Sequence, residues 1–321
     1  MDTSWHVLYP HPRFPWAGVG PSGALFYDPR SRTAELADPT IDPALLGLAP
    51  VLASGDLISY RPGRRAVLAR KDSYVKVVPP RKLAGLVARH ESFSKAALGA
   101  GFRVPEILWV DHDVGAVAFE AIDVPPLRGR WWRSGARSLL RVGYLLGRLA
   151  EGPVPEDLPE RAVDNASWWL QTVRDWDPIP TIETLRRIEA IFEVEVEWGP
   201  PAAVHGDLHD GNLLWDGETA ALIDLDVASI GGAWTDLVSL LAHVELRSAH
   251  EGAVATHRDA LAGTLVEGFT GVHAGVDLAP AVARELARLV CVYRFRRPEH
   301  RHSDVLLDRC EALLGGGGWW S

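Results

Sequence analysis

Alternation of apolar and polar positions dominates the first third of the chain. "LISY" (57–60), "AVLAR" (66–70) and "YVKVV" (74–78) are period-two runs separated by the turn-forming "RPGR" and "KDS". They predict three consecutive antiparallel strands. Upstream, "GALFYDPRSRTAELA" (23–37) predicts a hairpin turning at Asp28-Pro29. "PRKLAGLVARHESFSKAALGAG" then shows helical spacing and closes on glycine. "EILWVDH" and "VGAVAFEAI" return to the strand pattern around a polar turn.

After "DVPPLRG" the period changes for good. "ARSLLRVGYLLGRLAE" (136–151) predicts an amphipathic helix stopped by Gly152-Pro153, with further helices at 164–176 and 181–197. A hairpin is expected in "NLLWDGETAALI", turning at Asp216-Gly217. Helices follow over 235–248, 254–272, 279–297 and 303–314, and "GGGGWWS" reads as a flexible tail. Strands up to about residue 121 and helices beyond it imply an α+β protein with one lobe of each kind. The expected divisions are an N-terminal extension of unassigned role (1–50), a sheet lobe (51–121) and a helical lobe (122–321). The extension would serve as an extra cap or a partner surface.

Composition narrows the classes. The 321 residues are 47% hydrophobic and 23% charged, as in a folded globular protein. A net charge of −9 argues against a nucleic-acid partner held by a general basic surface, and would suit a cationic small substrate. Two cysteines, Cys291 and Cys310, exclude a disulfide framework and point to free thiols. The start "MDTSWHVLYPHPRFPW" lacks the pattern of a secretory signal, and no run of about 18 apolar residues suggests a membrane span. A soluble cytoplasmic location is the expectation. The tryptophan pairs 131–132, 168–169 and 319–320 are candidate pocket linings, although most buried tryptophans only pack.

The chemistry concentrates in "VHGDLHDGNLLWDGETAALIDLDVA", residues 204–228. His205, Asp207 and Asn212 follow the spacing H-x-D-x4-N, the form of the protein-kinase catalytic loop. There an aspartate accepts the hydroxyl proton and an asparagine holds magnesium. Asp224 lies at the far end of the expected hairpin, so the turn returns it to Asn212. An asparagine carbonyl with one or two carboxylates suits magnesium. Asp226, two residues on in an extended run, would face the same side as Asp224, as a second ligand or a substrate contact.

Lys76, inside the strand "YVKVV", would ordinarily be a solvated position. With only four lysines in the chain and Glu91 in the following helix, it is instead the favoured phosphate lysine. H-G-D-x-H-x-x-N followed by an apolar run and I-D-x-D resembles the aminoglycoside phosphotransferase and choline kinase family, of protein-kinase-like fold. The resemblance covers roughly residues 51–314, and "AWTDLVSLL" and "SYRPGRRAVL" are similar to family elements. It implies a two-lobed fold with an antiparallel sheet plus one helix, then a mainly helical lobe. It implies Asp207 as catalytic base; His205, beside it, would brace the loop through backbone hydrogen bonds. Asn212 and Asp224 would be magnesium ligands, and Lys76 and Glu91 the phosphate-binding pair. "FEAID" (119–123), with Glu120 and Ile122, would be the hinge that meets the purine of ATP or GTP. Asp236 would cap its helix and brace the catalytic loop. The loop "SYRPGRR" lacks G-x-G-x-x-G, so Arg61, Arg64 or Arg65 would contribute to the phosphate cover.

Other readings compete. Zinc on His205 and His209 requires a helix, which Gly206, Asp207, Asp210 and Gly211 oppose. "RGRWWRSGAR" (128–137) reads as a solvated helix approach, or as a contact for an anionic substrate or leader peptide. "EAIFEVEVEWG" (189–199) reads as one polar helix face, and His300-Arg301-His302 as an exposed loop. A kinase-like binding scaffold is a separate class, opposed by the complete residue set. The expected reaction moves a γ-phosphate from ATP or GTP, with magnesium, to a hydroxyl of a small molecule, such as an antibiotic, a sugar or an amino alcohol. The alternative acceptor is Ser or Thr of a peptide.

Overall fold

A computed structural model describes residues 7–11, 16–20, 23–161, 166–176, 181–252, 255–270, 277–296 and 303–316, with the side chain of Trp132 left out. The chain forms two compact units. The first comprises Met1–Val87, Pro105–Asp123 and Val292–His300; the second comprises Ala88–Val104, Val124–Cys291 and Arg301–Ser321.

The first unit contains two antiparallel sheets. β1 (Val7–Tyr9), β2 (Trp16–Gly20), β3 (Gly23–Asp28) and β4 (Thr33–Leu36) pair in chain order. The hairpin predicted from Asp28-Pro29 is β3–β4, and the Asp28 carboxylate accepts from Arg30 N and Ser31 Oγ, both at 2.9 Å. The strands β1 and β2 have no counterpart in the sequence pattern, because Pro and Gly interrupt their alternation. Helix α1 (Leu48–Leu52) follows.

The larger sheet is β5 (Asp56–Arg61), β6 (Arg65–Ala69) and β7 (Ser73–Val77), then, after α2 (Pro80–Ala100), β8 (Ile107–Asp111) and β9 (Ala116–Glu120). Its order is β5-β6-β7-β9-β8, every neighbour antiparallel. The alternation seen in sequence sorts its two faces. Ala66, Leu68, Val75, Val77, Ala116 and Ala118 pack against Leu45 and Leu48. Val117, on the opposite face, packs with Leu83 and Leu86 of α2. Lys76 pairs with Val117 across the ladder, so it stands on the α2 side of the sheet.

The second unit is mainly helical: α3 (Ala136–Glu151), α4 (Ala166–Trp176), α5 (Ile182–Phe192), α6 (Thr235–Glu251), α7 (Ala255–Thr270), α8 (Ala279–Arg296) and α9 (Ser303–Leu314), with α8 ending in residues assigned to the first unit. Its short strands are β10 (Pro201–Val204), β11 (Leu213–Trp215), β12 (Ala220–Leu222) and β13 (Ser229–Gly232). These pair as β10–β13 and β11–β12. α3 and α7 approach closely enough that a Cβ on Gly143 would lie 2.1 Å from Leu265 O, and one on Gly268 would lie 2.2 Å from Leu140 O. Only glycine permits that crossing.

Two expectations change here. The helix predicted over 181–197 ends at Phe192, so "EVEVE" is not a polar helix face. Its alternation has period two, which no helix can satisfy, and Gly199-Pro200 prevents resumption. The tail beyond Gly316, the His300-Arg301-His302 stretch and the pair Trp319-Trp320 lie outside the described residues.

Candidate active site

The second unit gathers His205, Asp207, Asn212, Asp224 and Asp226 into one segment. β10 ends at Val204 and the loop 205–212 follows; β11 and β12 then return the chain to Ile223. Leu213 pairs with Leu222, and Ile223 N donates to Asn212 O at 3.0 Å. That single backbone bond sets Asn212 beside the residue preceding Asp224, as the hairpin spacing required.

His205 is fully buried, with its ring edge-on to Phe93 at 6.1 Å. Its Nε2 lies 2.8 Å from Ile223 O. A carbonyl can only accept, so Nε2 carries the proton and Nδ1 accepts from Asp207 N at 3.3 Å. The residue therefore ties the base loop to the end of the hairpin. Its two ring nitrogens are engaged by backbone, which answers the zinc reading with a specific alternative. Gly206 has φ +81°, and a Cβ there would lie 2.8 Å from Val227 O.

Asp236 accepts from His205 N at 2.7 Å and from Gly206 N at 3.0 Å, which is the bracing role expected of it. It does not cap α6: Trp234 occupies the N-cap and Asp236 sits in the first turn. The carboxylate serves the preceding loop instead of its own helix.

Asp207 is exposed, whereas Asn212 is buried and donates from Nδ2 to Asp207 O at 3.0 Å. With its amide nitrogen so used, the Oδ1 of Asn212 is the end suited to a cation. Asp224 adopts a left-handed conformation (φ 60°, ψ 55°), and residues Leu225–Val227 form a 3-10 turn. The extended run expected through Asp226 therefore stops at Leu222, and the same-side argument for Asp226 fails. Both carboxylates are half-buried, and Arg89 of α2 donates to the carbonyl of Asp226. The amide oxygen of Asn212 and the carboxylate of Asp224 are donor types that a hard divalent cation takes.

The residues expected to meet nucleotide lie elsewhere in the chain. Lys76 is buried (7% exposed), not solvated, with Nζ 5.8 Å from the Phe119 ring centre. Glu91 is exposed on the half of α2 that belongs to the second unit. Glu120 closes β9: its N donates to Glu106 O at 2.9 Å, and Ala121 N donates to Asp72 O at 3.1 Å. Ile122 follows, half-buried. Arg61 stacks over the Tyr9 ring at 4.1 Å and Arg64 donates to Pro10 O at 3.3 Å, so two of the candidate phosphate-cover arginines turn to the N-terminal segment. The buried Asp42 accepts from Tyr60 Oη (2.9 Å) and Gly63 N (2.7 Å), bracing the same turn. Part of the N-terminal extension thus supports the β5–β6 turn.

Sequence reasoning missed Asp210. Its carboxylate is fully buried and accepts from Arg247 Nε (2.8 Å), Arg247 Nη2 (3.2 Å) and Trp131 Nε1 (3.1 Å). Burial pushes its pKa up, but the Arg247 hydrogen bond and the charges of Arg247, His243 and Arg128 outweigh that and hold it below the ordinary value. No local pattern marks a carboxylate whose partner stands 37 positions later. Trp131, a candidate pocket residue by sequence, is instead buried against this group. Beside it, the His209 and His243 rings lie 5.3 Å apart, and burial lowers the pKa of both.

A two-unit chain with an antiparallel five-stranded sheet, and a helical unit carrying an Asp-Asn loop and an Asp-ended hairpin, defines a kinase-like phosphotransferase. The family model of the APH phosphotransferase enzyme family matches residues 63–272, and the chain belongs to that family. Among solved structures, it is similar to a choline/ethanolamine kinase family protein from Mesorhizobium loti: 18% identity over 84% of this chain and 92% of that one, TM-score 0.52. It is also similar to aminoglycoside phosphotransferase APH(3'')-Id from Streptomyces rimosus, with 19% identity, 78% and 96% coverage, and TM-score 0.52. An amicoumacin kinase in complex with AMP-PNP, Ca2+ and Ami gives 11% identity, 83% and 90% coverage, and TM-score 0.55. No curated protein matches. At these identities the structures establish a shared fold.

Proposed function

We propose that the chain transfers the γ-phosphate of ATP or GTP to a hydroxyl of a small molecule. The observation that carries this reading is the joining of the Asp207–Asn212 loop to Asp224 by the Ile223 N–Asn212 O bond. Phosphoryl transfer needs positioning and charge stabilisation more than covalent chemistry. Asp207, exposed at the loop, accepts the hydroxyl proton as the oxygen attacks. His205 and Asp236 fix the loop's backbone, so that the carboxylate is presented in one orientation. Asn212 and Asp224 would hold magnesium, which would neutralise charge on the phosphates. Lys76 contacts phosphate, Glu91 is its proposed partner, and Glu120 to Ile122 meet the purine. The solved structures similar in fold include a choline/ethanolamine kinase family protein, a macrolide phosphotransferase and an aminoglycoside phosphotransferase. They support a small-molecule acceptor such as an antibiotic, sugar or amino alcohol.

A second reading, a peptide acceptor, has one specific support. A cavity of about 120 Å3 lies where "RGRWWRSGAR" meets the β11–β12 turn, and Arg130, Arg133, Ser134 and Ser138 line it together with Asp216. Such a lining suits an acidic group on a larger acceptor.

The test is a panel of aminoglycosides, macrolides, sugars, amino alcohols and Ser/Thr peptides, assayed with ATP and with GTP in magnesium. Transfer to a small-molecule class, lost in Asp207→Asn, establishes the first reading, and transfer to peptides alone establishes the second. Absence of magnesium-dependent nucleotide binding by the intact chain defeats it.

A further inference from the structure

Between the proposed base and the proposed metal ligand lies a carboxylate that faces neither. Asp210 is fully buried, three residues after Asp207 and two before Asn212. Its two oxygens meet donors from two directions. Arg247, on α6, reaches Oδ2 at 2.8 Å and Oδ1 at 3.2 Å; Trp131 Nε1 reaches Oδ2 at 3.1 Å; Arg128 Nε stands 3.5 Å from Oδ1. The backbone joins in, because Arg128 N donates to Asp210 O at 2.8 Å and Leu127 N donates to Leu213 O at 2.9 Å. α6 is the helix whose first turn also holds Asp236, which grips the start of the loop at His205 and Gly206. One helix therefore grips the loop at both ends of Asp207, through Asp236 before it and Arg247 after it.

We propose that Asp210 is a positioning residue for phosphoryl transfer: its clamp to Arg247 and Trp131 fixes the placement of Asp207 and Asn212. The inference rests on the roles given above to those two residues. A bidentate pair constrains direction as well as distance, and a carboxylate with several donors has little rotational freedom. Without the clamp, the stretch 208–211 keeps its apolar anchor at Leu208, but the turn between base and ligand loses its fixed reference. The cost then appears in the chemical step and in the demand for magnesium, while nucleotide affinity is retained.

Hydrolysis of ATP or GTP measures this without knowledge of the acceptor, because water then takes the phosphoryl group. Asp210→Asn is expected to lower kcat by roughly 10- to 100-fold and to raise the apparent magnesium constant several-fold, with the nucleotide KM within about threefold. The pair Asp210→Ala with Arg247→Met removes both buried charges together, so its melting temperature returns towards that of the wild type while kcat stays low. That double variant decides the matter if Asp210→Asn fails to fold. Arg247→Lys, which retains one donor, recovers part of the rate. A double variant with wild-type kcat and wild-type magnesium demand overturns the inference, since only stability would then depend on the clamp. A wild-type chain that binds no nucleotide with magnesium and transfers phosphate neither to water nor to any acceptor of the panel overturns instead the reading beneath it.

Discussion

In the five-stranded sheet, Leu68, Val75, Val77 and Ala118 do the same work, each filling part of one buried face. In the segment 204–236, different polar residues hold different roles. His205 joins the base loop to Ile223 through its ring, Asp236 receives the amides of residues 205 and 206, and Asn212 binds the carbonyl of Asp207. Packing is distributed and tolerates local loss at a cost in stability. A polar scaffold is concentrated, and losing one member changes geometry. Perturbations of the sheet should therefore register as stability, and perturbations of the loop as rate.

The sharpest test of that contrast is Asp207→Asn. The residue is exposed, and the amide matches the carboxylate in size, so folding should be little affected. Loss of a general base costs about 10²- to 10⁴-fold in rate. Steady-state kinetics and a thermal melt on the same preparation check both halves. A large drop in melting temperature would break the division between regions.

The converse test is Leu68→Ala in β6, a fully buried position on the packed face. Truncation there should cost roughly 2–5 kcal/mol of stability. Turnover measured well below the melting transition should stay near that of the wild type. A collapse of kcat in folded protein would show that the sheet is as rate-determining as the loop.

Asp236→Ala lies between these extremes. It leaves the amides of His205 and Gly206 without their acceptor in a buried place, at about 1–3 kcal/mol for each unsatisfied group. Both melting temperature and kcat should fall, and Asp236→Asn, which still accepts, should recover part of each. If kcat holds while stability falls, the carboxylate supports the fold but not the presentation of Asp207.

The same contrast explains what could be read from the chain. β5, β6, β7 and β9 were legible because alternation is a local signal repeated by each strand, and α3 because its apolar stripe and Gly152-Pro153 stop agree. The loop was legible through spacing: His205, Asp207 and Asn212 fall at fixed offsets, and the turn at Asp216-Gly217 brings Asp224 back. Contacts made at long range were not. Nothing near Asp210 announces Arg247 or Trp131, and nothing near Asp42 announces Tyr60 and Gly63. The conformation at Asp224 was hidden for another reason, since a non-glycine residue in the left-handed region is uncommon and has no sequence mark beyond a modest preference of aspartate for it. β10 and β13 escaped because four-residue strands such as "PAAV" and "SIGG" carry no usable period.

The smallest expected effect concerns pH, and it tests whether the polar scaffold also sets the acid limit of the fold. His243 is buried on α6, and burial, aided by repulsion from His209, lowers its pKa from 6.5 to about 3 against the pull of Asp210. The folded state thus refuses a proton that the unfolded chain accepts. Above pH 6.5 neither state is protonated, and this group contributes no pH dependence. As pH falls from 6.5 towards 3, the unfolded state gains the proton first, so stability declines by at most about 1.4 kcal/mol per pH unit from this one residue. His209, lowered for the same principal cause, adds to the trend. Urea unfolding at about pH 7.5 and about pH 5.5, on either side of the unfolded-state pKa, should show His243→Leu losing less stability between the two than the wild type does. Parallel losses in the two proteins would mean that the buried ring is not what limits the scaffold in acid.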